Sequence, residues 1–310
     1  MLINNMKFKK IVTSIYLCFC ASTYADVFAI KESSKQREFN GVAIVTKGND
    51  VLFKHSSNSL KNEKDTDLNE NSQFIIGSLS KQITATLVLR EVDKGNLKLD
   101  EPISTYLPQL KQKWSSVVTI RNLLNHTSGI VNINQPLQSK PNKEFAYSNL
   151  GYDLLGEIVS NTSRDSYSSS AMQLFQICEM NNSISVAENS LPPASLIGGF
   201  NEEENGEMKL VTSKSPYSSI PSGGLISTVS DLAKWNQCLH KGDILSAEIH
   251  QEMVSREKIR SHRWGDLGYG FGLQLSTDLD KPEWSHSGYV NGYISTMIYY
   301  PESDVSSCCS

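Results

Sequence analysis

A serine and a lysine stand three residues apart in FIIGSLSKQITATLVL, residues 74–89: Ser78 and Lys81. On a helix this spacing gives about 60° of azimuth and roughly 4.5 Å of rise, so the amine can reach the hydroxyl. A serine hydroxyl is a poor nucleophile at neutral pH and needs a base within hydrogen-bond reach. Lys81 serves as that base only if burial or nearby positive charge leaves part of it neutral. A helix N-terminus at Ser78 would favour developing negative charge by on the order of 0.3–1 kcal/mol. Taken alone, the pair also reads as a capping serine beside a surface lysine. The same spacing recurs at Ser255–Lys258 in the charged stretch MVSREKIRSH, where it reads as a solvated face.

Two further groups carry chemistry of the same kind. In YSN, residues 147–149, Tyr147 enters a helix start from a loop and can carry protons to a neighbouring hydroxyl. Asn149 can donate its amide to a substrate carbonyl; the plain alternative is a packed aromatic followed by a helix cap. In HSG, residues 286–288, His286 can donate a hydrogen bond or guide a carboxylate, and Gly288 lets a substrate backbone approach. The N–H groups of Tyr289 and Ser78 can then form an oxyanion hole, where one donor is typically worth about a hundred- to a thousandfold in rate. The plain alternative is a strand histidine before a glycine bend.

The elements that would position these residues follow from the pattern. FNGVAIVTKGNDVLFKHS predicts two strands around a Gly-Asn-Asp turn. Leu79, Ile83, Leu87 and Val92 mark an apolar helical stripe that Gly95 stops. VTIRNLLNHTSGI predicts a short helix closed by Gly129, with His126 structural. FAYSNLGYDLLGEIVSN predicts a helix capped by Ser148 or Asn149, and PSGGLISTVSDLAKWNQCL a strand entry and a helix capped at Ser230. YGFGLQLST and EWSHSGYVNGYISTMIYYPES read as strands, the last two joined through Val-Asn-Gly, with His286 and Gly288 on an edge strand.

The chain has 310 residues, 39% of them hydrophobic and 20% charged, with a formal net charge of −4. That length suffices for a sizeable core. With no long basic run after the first ten residues, nucleic acid is not an expected partner. Residues 1–25 read as an export signal: MKFKK supplies positive charge, an apolar run of about eleven residues follows, and STYA precedes Asp26. Such a run is too short to span a bilayer, and no other span is expected, so the mature protein is expected outside the cytoplasm without a stable membrane span. Cys178, Cys238, Cys308 and Cys309 remain after the leader; scattered buried thiols are the default expectation, and the spacing does not select a bridge. No metal-ligand spacing or cofactor motif occurs.

In order and context, S-x-x-K, Y-x-N and H-x-G resemble the serine β-lactamase and penicillin-binding-protein superfamily. The Tyr-x-Asn branch is the one that looks like class C β-lactamases and the related D-alanyl-D-alanine carboxypeptidases, aminopeptidases and esterases. FIIGSLSKQITA, IRNLLNHTSGI, FAYSNLGYDLLGEIV, PSGGLISTVSDLAKW and HSGYVNGYISTMIYYPE are similar to blocks of that family, from about Phe39 to Glu302. The resemblance implies an α/β (α+β) fold: an antiparallel sheet from residues 26–95 and 210–310 flanked by helices, with a helical insertion at 96–209.

It also implies an acyl-enzyme on Ser78, with Lys81 and Tyr147 sharing proton transfer and Asn149 holding the substrate amide. His286, Gly288 and Tyr289 would flank the cleft. The substrate would be a small molecule or peptide: a β-lactam, a D-Ala-D-Ala peptide or an ester. The rival expectation is a non-catalytic protein that binds peptidoglycan stems or a protein partner.

Three departures from the family stand out. His286 replaces the lysine of K-T-G and so removes a fixed positive charge. QICEM, residues 176–180, replaces a common Pro-Leu-Gly-Met. After YYPESDV the chain ends in SSCCS, where the family continues with an apolar strand and a helix, so both are expected to be missing and a sheet edge bare.

Overall fold

The computed structural model describes residues 39–58, 67–186, 193–211, 219–256, 258–262, 265–278 and 280–310. The expected leader lies outside them. Strands β1 (Gly41–Lys47) and β2 (Asp50–Ser57) form the predicted hairpin, with Lys47 opposite Asp50. Gly48 takes the left-handed φ of +54° in the turn between them.

After β3 (Phe74–Ile75), a 3-10 turn over Gly77–Leu79 runs into α1 (Ser80–Asp93). Gly95 ends α1 as predicted, at φ +76° with its N–H donating to the Val92 carbonyl. The surroundings of α1 differ from the predicted stripe. Ser80, Lys81, Gln82, Thr84 and Thr86 are as fully buried as Ile83 and Val88, so α1 is the central helix of the molecule.

Around it lie α2 (Ile120–Leu124), α3 (Asn149–Ser163) and α4 (Tyr167–Ile177). Thr119 and Asn122 form a capping box on α2, and the Ser148 hydroxyl caps α3. The chain leaves α2 at His126, which takes φ +58°, three residues before the predicted glycine. A two-stranded ribbon, β4 (Phe200–Glu202) with β5 (Met208–Leu210), follows.

Residues Ile220–Gly224 form a π-helical turn, β6 (Ile226–Ser227) pairs with β3, and α5 (Val229–Lys241) and α6 (Ala247–Met253) complete the helices. The cap of α5 is Thr228, whose Oγ1 accepts from the Asp231 N–H at 3.1 Å. The expected cap, Ser230, is already helical because β6 ends at Ser227.

The remaining strands are β7 (Lys258–His262), β8 (Gly265–Tyr269), β9 (Gln274–Leu275), β10 (Trp284–Val290), β11 (Tyr293–Tyr300) and β12 (Val305–Cys309). With the first hairpin they form an eight-stranded antiparallel sheet of order β2-β1-β12-β11-β10-β9-β8-β7. β10 is therefore interior, but β9 pairs only with Trp284 and Ser285. From His286 onward one side of β10 is left to face the helices.

β12 corrects the expectation of a missing strand. Cys308 pairs with Ile44 on one side and Met297 on the other, and all five β12 residues are buried. Small Ser and Cys side chains hide the alternation that marks a strand in sequence, while backbone pairing on both flanks still holds it. The cysteine expectation is corrected as well. Cys178, just past α4, is bridged to Cys238 of α5.

Candidate active site

Ser78 sits at the middle of the 3-10 turn that starts the central helix, half-buried and open on one side. Two glycines bring the opposite wall to it. Gly77 has φ +53°, and a Cβ there would lie 2.6 Å from the amide nitrogen of Tyr289. A Cβ at Gly288 would collide with the Ile76 carbonyl and the Ser295 hydroxyl. That hydroxyl donates to the Ile76 carbonyl at 2.6 Å, fastening β11 to the residue before the turn. Only glycine permits this approach of β10 to Ser78. The Tyr289 side chain is exposed beside the opening.

Lys81 lies one turn along, with no surface open to solvent. Its Nζ donates to Ser78 Oγ at 3.1 Å, Asn149 Oδ1 at 2.8 Å and the Ser222 carbonyl at 2.6 Å. It also stands 4.9 Å from the Tyr147 ring centroid and 5.5 Å from that of Tyr152. Burial pushes the Lys81 amine down to about 7, and the carboxylate of Asp153 resists that shift.

The π-helical turn that supplies the Ser222 carbonyl is held from three sides. Thr84 Oγ1 donates to the Pro221 carbonyl at 2.7 Å, the Leu225 N–H donates to Ser80 Oγ at 3.2 Å, and Ser219 Oγ donates to Asp153. Gly156 of α3 leaves room for the Pro221 ring. π-turns of this kind occur mostly at functional sites.

Tyr147 precedes the α3 cap, with its phenol beside Ser78. The residue is 39% exposed, yet desolvation around the phenol pushes it up to about 12, against the opposing pull of Ser78 and of Arg260. His126 brackets it. The Ala146 N–H donates to the His126 carbonyl at 2.8 Å, the Ser148 N–H to His126 Nδ1 at 3.2 Å, and the two rings lie 4.2 Å apart. A neutral ring then carries its proton on Nε2, which is buried without a partner. Burial and the nearby Lys81 hold His126 well below the usual histidine range.

His286 faces inward from β10, 2% exposed. Its Nδ1–H donates to the Ser287 carbonyl at 2.8 Å, so Nε2 accepts from the Tyr269 hydroxyl at 2.9 Å. Burial pushes it down to about 3, so the ring is neutral with both nitrogens occupied. On this strand the site therefore holds a neutral support for β10, with no free donor for a substrate.

The structure thus gathers Ser78, Lys81 and Asn149 into one hydrogen-bonded group with Tyr147 beside it, and Gly288 and the Tyr289 amide on the facing wall. Four contributors lay outside the sequence reading. The Ser222 carbonyl and Asp153 show no side-chain signature, Arg260 lies far along the chain, and His126 carries only the signal of a residue closing a helix. The tight pairing of NHTSG with FAYSN, through one backbone bond to the His126 carbonyl and one to its ring, emerges only in three dimensions.

The beta-lactamase family model matches residues 29–307. The chain belongs to the beta-lactamase family. Penicillin-binding protein 4* of Bacillus subtilis (strain 168) is 27% identical over 303 residues, covering 86% of this chain and 66% of that protein. This beta-lactamase-family chain thus spans just under two thirds of that relative's length. In fold it is similar to a penicillin-binding protein from Bacillus halodurans, with TM-score 0.79, 24% identity and coverage of 91% and 94% of the two chains. It is also similar to the D-alanine carboxypeptidase AmpC from Burkholderia cenocepacia, with TM-score 0.75, 18% identity and coverage of 92% and 93%. Among the described residues no group of three metal-ligating side chains occurs, and no helix is long and apolar enough to cross a membrane.

Proposed function

We propose that this chain is a serine hydrolase that forms an acyl-enzyme on Ser78 from an amide or ester of a small molecule or peptide. One observation carries the reading. Two of the three partners of the Lys81 amine, Asn149 Oδ1 and the Ser222 carbonyl, can only accept hydrogen bonds. A neutral amine has two N–H donors, which these oxygens take up. Its lone pair is then left for the third partner, the Ser78 hydroxyl. With the amine pushed to about 7, a large neutral fraction is present at neutral pH.

The chemistry follows in order. Ser78 Oγ attacks the substrate carbonyl as its proton passes to Lys81 Nζ. The N–H groups of Ser78 and Tyr289 receive the oxyanion. Tyr147, pushed to about 12, keeps its proton at neutral pH and so suits donation to the leaving group, after which the proton that Lys81 took from Ser78 returns Tyr147 to its neutral form. Water then cleaves the ester as the same groups act in reverse. Asn149 spends Oδ1 on Lys81, which leaves Nδ2 to hold a substrate carbonyl. Gly288 and His286 keep β10 close, one by its lack of a side chain and the other as an inward support. With a leader at residues 1–25, the enzyme would act outside the cytoplasm.

Intact-mass measurement after incubation with a penicillin and, separately, a fluorophosphonate tests this reading against Ser78→Ala. The expected result is an adduct lost in the alanine variant. A folded protein that takes up neither probe would be a binding protein instead.

A further inference from the structure

We infer that His126 is the positioning residue for Tyr147, holding the phenol where it can protonate the leaving group. The inference rests on the acyl-enzyme reading. Tyr147 lies in an irregular segment just before the Ser148 cap, open to solvent on one side. His126 grips that segment at three consecutive residues. Its carbonyl accepts from the Ala146 N–H at 2.8 Å, its ring lies 4.2 Å from the Tyr147 ring, and its Nδ1 accepts from the Ser148 N–H at 3.2 Å. Among the described residues the next ring beside Tyr147, that of His286, is 6.4 Å away. The grip is itself anchored. The left-handed turn at His126, φ +58°, is closed by the Thr127 N–H on the Asn122 carbonyl at 2.9 Å and by Asn122 Nδ2 on Thr127 Oγ1 at 3.2 Å. Phe145, Tyr152 and Tyr269, with centroids 5.6, 5.1 and 5.0 Å away, enclose the imidazole.

A second observation separates this role from plain packing. Because Nδ1 accepts, the neutral ring carries its proton on Nε2, which is buried without a partner. Burying an unpaired N–H costs stability, and a phenylalanine would avoid that cost. What histidine adds here is an acceptor for Ser148 together with a flat ring against the phenol; asparagine supplies only the first and phenylalanine only the second. In acylation the bond from Ser78 Oγ to the acyl carbon forms and the bond to the leaving atom breaks. That atom takes the proton of Tyr147, so a phenol held off its place slows departure of a group that must be protonated. A group that leaves as a stable anion is slowed far less.

The test compares the ethyl and p-nitrophenyl esters of butyric acid, which give the same acyl-enzyme and differ only in whether the leaving oxygen needs a proton. Titration of Ser78 with a fluorophosphonate counts the competent molecules in each protein. His126→Asn keeps the left-handed turn, which asparagine tolerates, and the acceptor for Ser148, but removes the ring. It should lower the ethyl-to-p-nitrophenyl ratio of kcat/KM about tenfold, within the hundred- to ten-thousandfold that a general acid supplies. Tyr147→Phe should lower it further, and the double variant no further than Tyr147→Phe alone, because His126 acts through the phenol. A structural role would slow both esters alike, so an unchanged ratio in His126→Asn overturns the assignment. An effect that adds to that of Tyr147→Phe overturns it as well, and so does a wild type that labels at Ser78 but does not turn over the ethyl ester. A wild type that takes no fluorophosphonate defeats the acyl-enzyme reading first.

Discussion

Helix α1 and strand β12 are both buried and both rich in polar side chains, and they treat those side chains in opposite ways. On α1, Thr84 Oγ1 bonds the Pro221 carbonyl and the Tyr167 hydroxyl, Thr86 bonds the Gln82 carbonyl, and Gln82 Oε1 accepts from Trp235, which leaves Gln82 Nε2 as the unpaired atom of that set. On β12, the hydroxyls of Ser306 and Ser307 have no partner, and neither do those of the neighbouring Thr46 and Thr296. A buried polar group left unpaired costs about 1–3 kcal/mol, while a paired one is near neutral or favourable. The expense of burying polar groups is met where they hold Ser78, Lys81 and the Ser222 carbonyl in register. In the sheet centre it is unmatched, and β12 is kept in place by backbone pairing on both flanks and by burial of Val305 and Cys308. Polar residues in a core thus mark function only when their partners are accounted for.

Substitutions can break or sharpen this contrast. The largest effect is expected at Lys81→Met, which should slow Ser78 labelling by a fluorophosphonate about a thousandfold while leaving a cooperative melt. Lys81 also leaves a signature in stability. The unfolded residue holds its proton to about pH 10.5 and the folded one to about 7, so the unfolded state binds more protons between those values. Stability should therefore rise with pH across that window in wild type relative to Lys81→Met, as urea midpoints at pH 7 and 9 would report.

Next in size is Thr84→Val, which keeps shape but leaves the Pro221 carbonyl and Tyr167 hydroxyl unpaired. It should cost about 1–3 kcal/mol in urea unfolding and slow labelling several-fold by loosening the turn that carries Ser222. Ser306→Ala should act in the other direction, raising stability by about 0.5–1 kcal/mol because it removes an unpaired hydroxyl. A loss there would mean that β12 has a partner for its hydroxyls and would end the contrast. The smallest effects are expected at Ser255→Ala and Lys258→Ala, each within about 0.5 kcal/mol in stability and twofold in labelling. In that second S-x-x-K, Ser255 bonds back to Gln251 while Lys258 lies on β7 and reaches Asn142.

The same contrast explains what the sequence made legible. The hairpin of β1 and β2, the Gly95 stop, the Ser148 cap and the turn before Tyr293 are local signals, readable from a few residues. The three motifs could be placed in order for the same reason. α1 looks amphipathic because periodicity weighs apolar residues and overlooks Thr84, whose partners Tyr167 and Pro221 lie far along the chain. β12 looked like a tail because Ser306, Ser307, Cys308 and Cys309 lack the bulk of a core strand, and its identity comes from neighbours distant in sequence. The Cys178–Cys238 bridge, 60 residues apart, was invisible for want of any spacing rule. His286 was legible as a residue type, but its neutrality depends on Tyr269 and the Ser287 carbonyl.

The pH dependence of Ser78 labelling by a fluorophosphonate, read by intact mass with Ser78→Ala as control, tests the central claim most directly. A buried Lys81 acting as base predicts a rate that climbs with pH and levels off with a midpoint near 7. A rate that stays low through neutrality and climbs only near pH 10, as for an ordinary lysine, would contradict it, and so would an adduct that persists in Ser78→Ala.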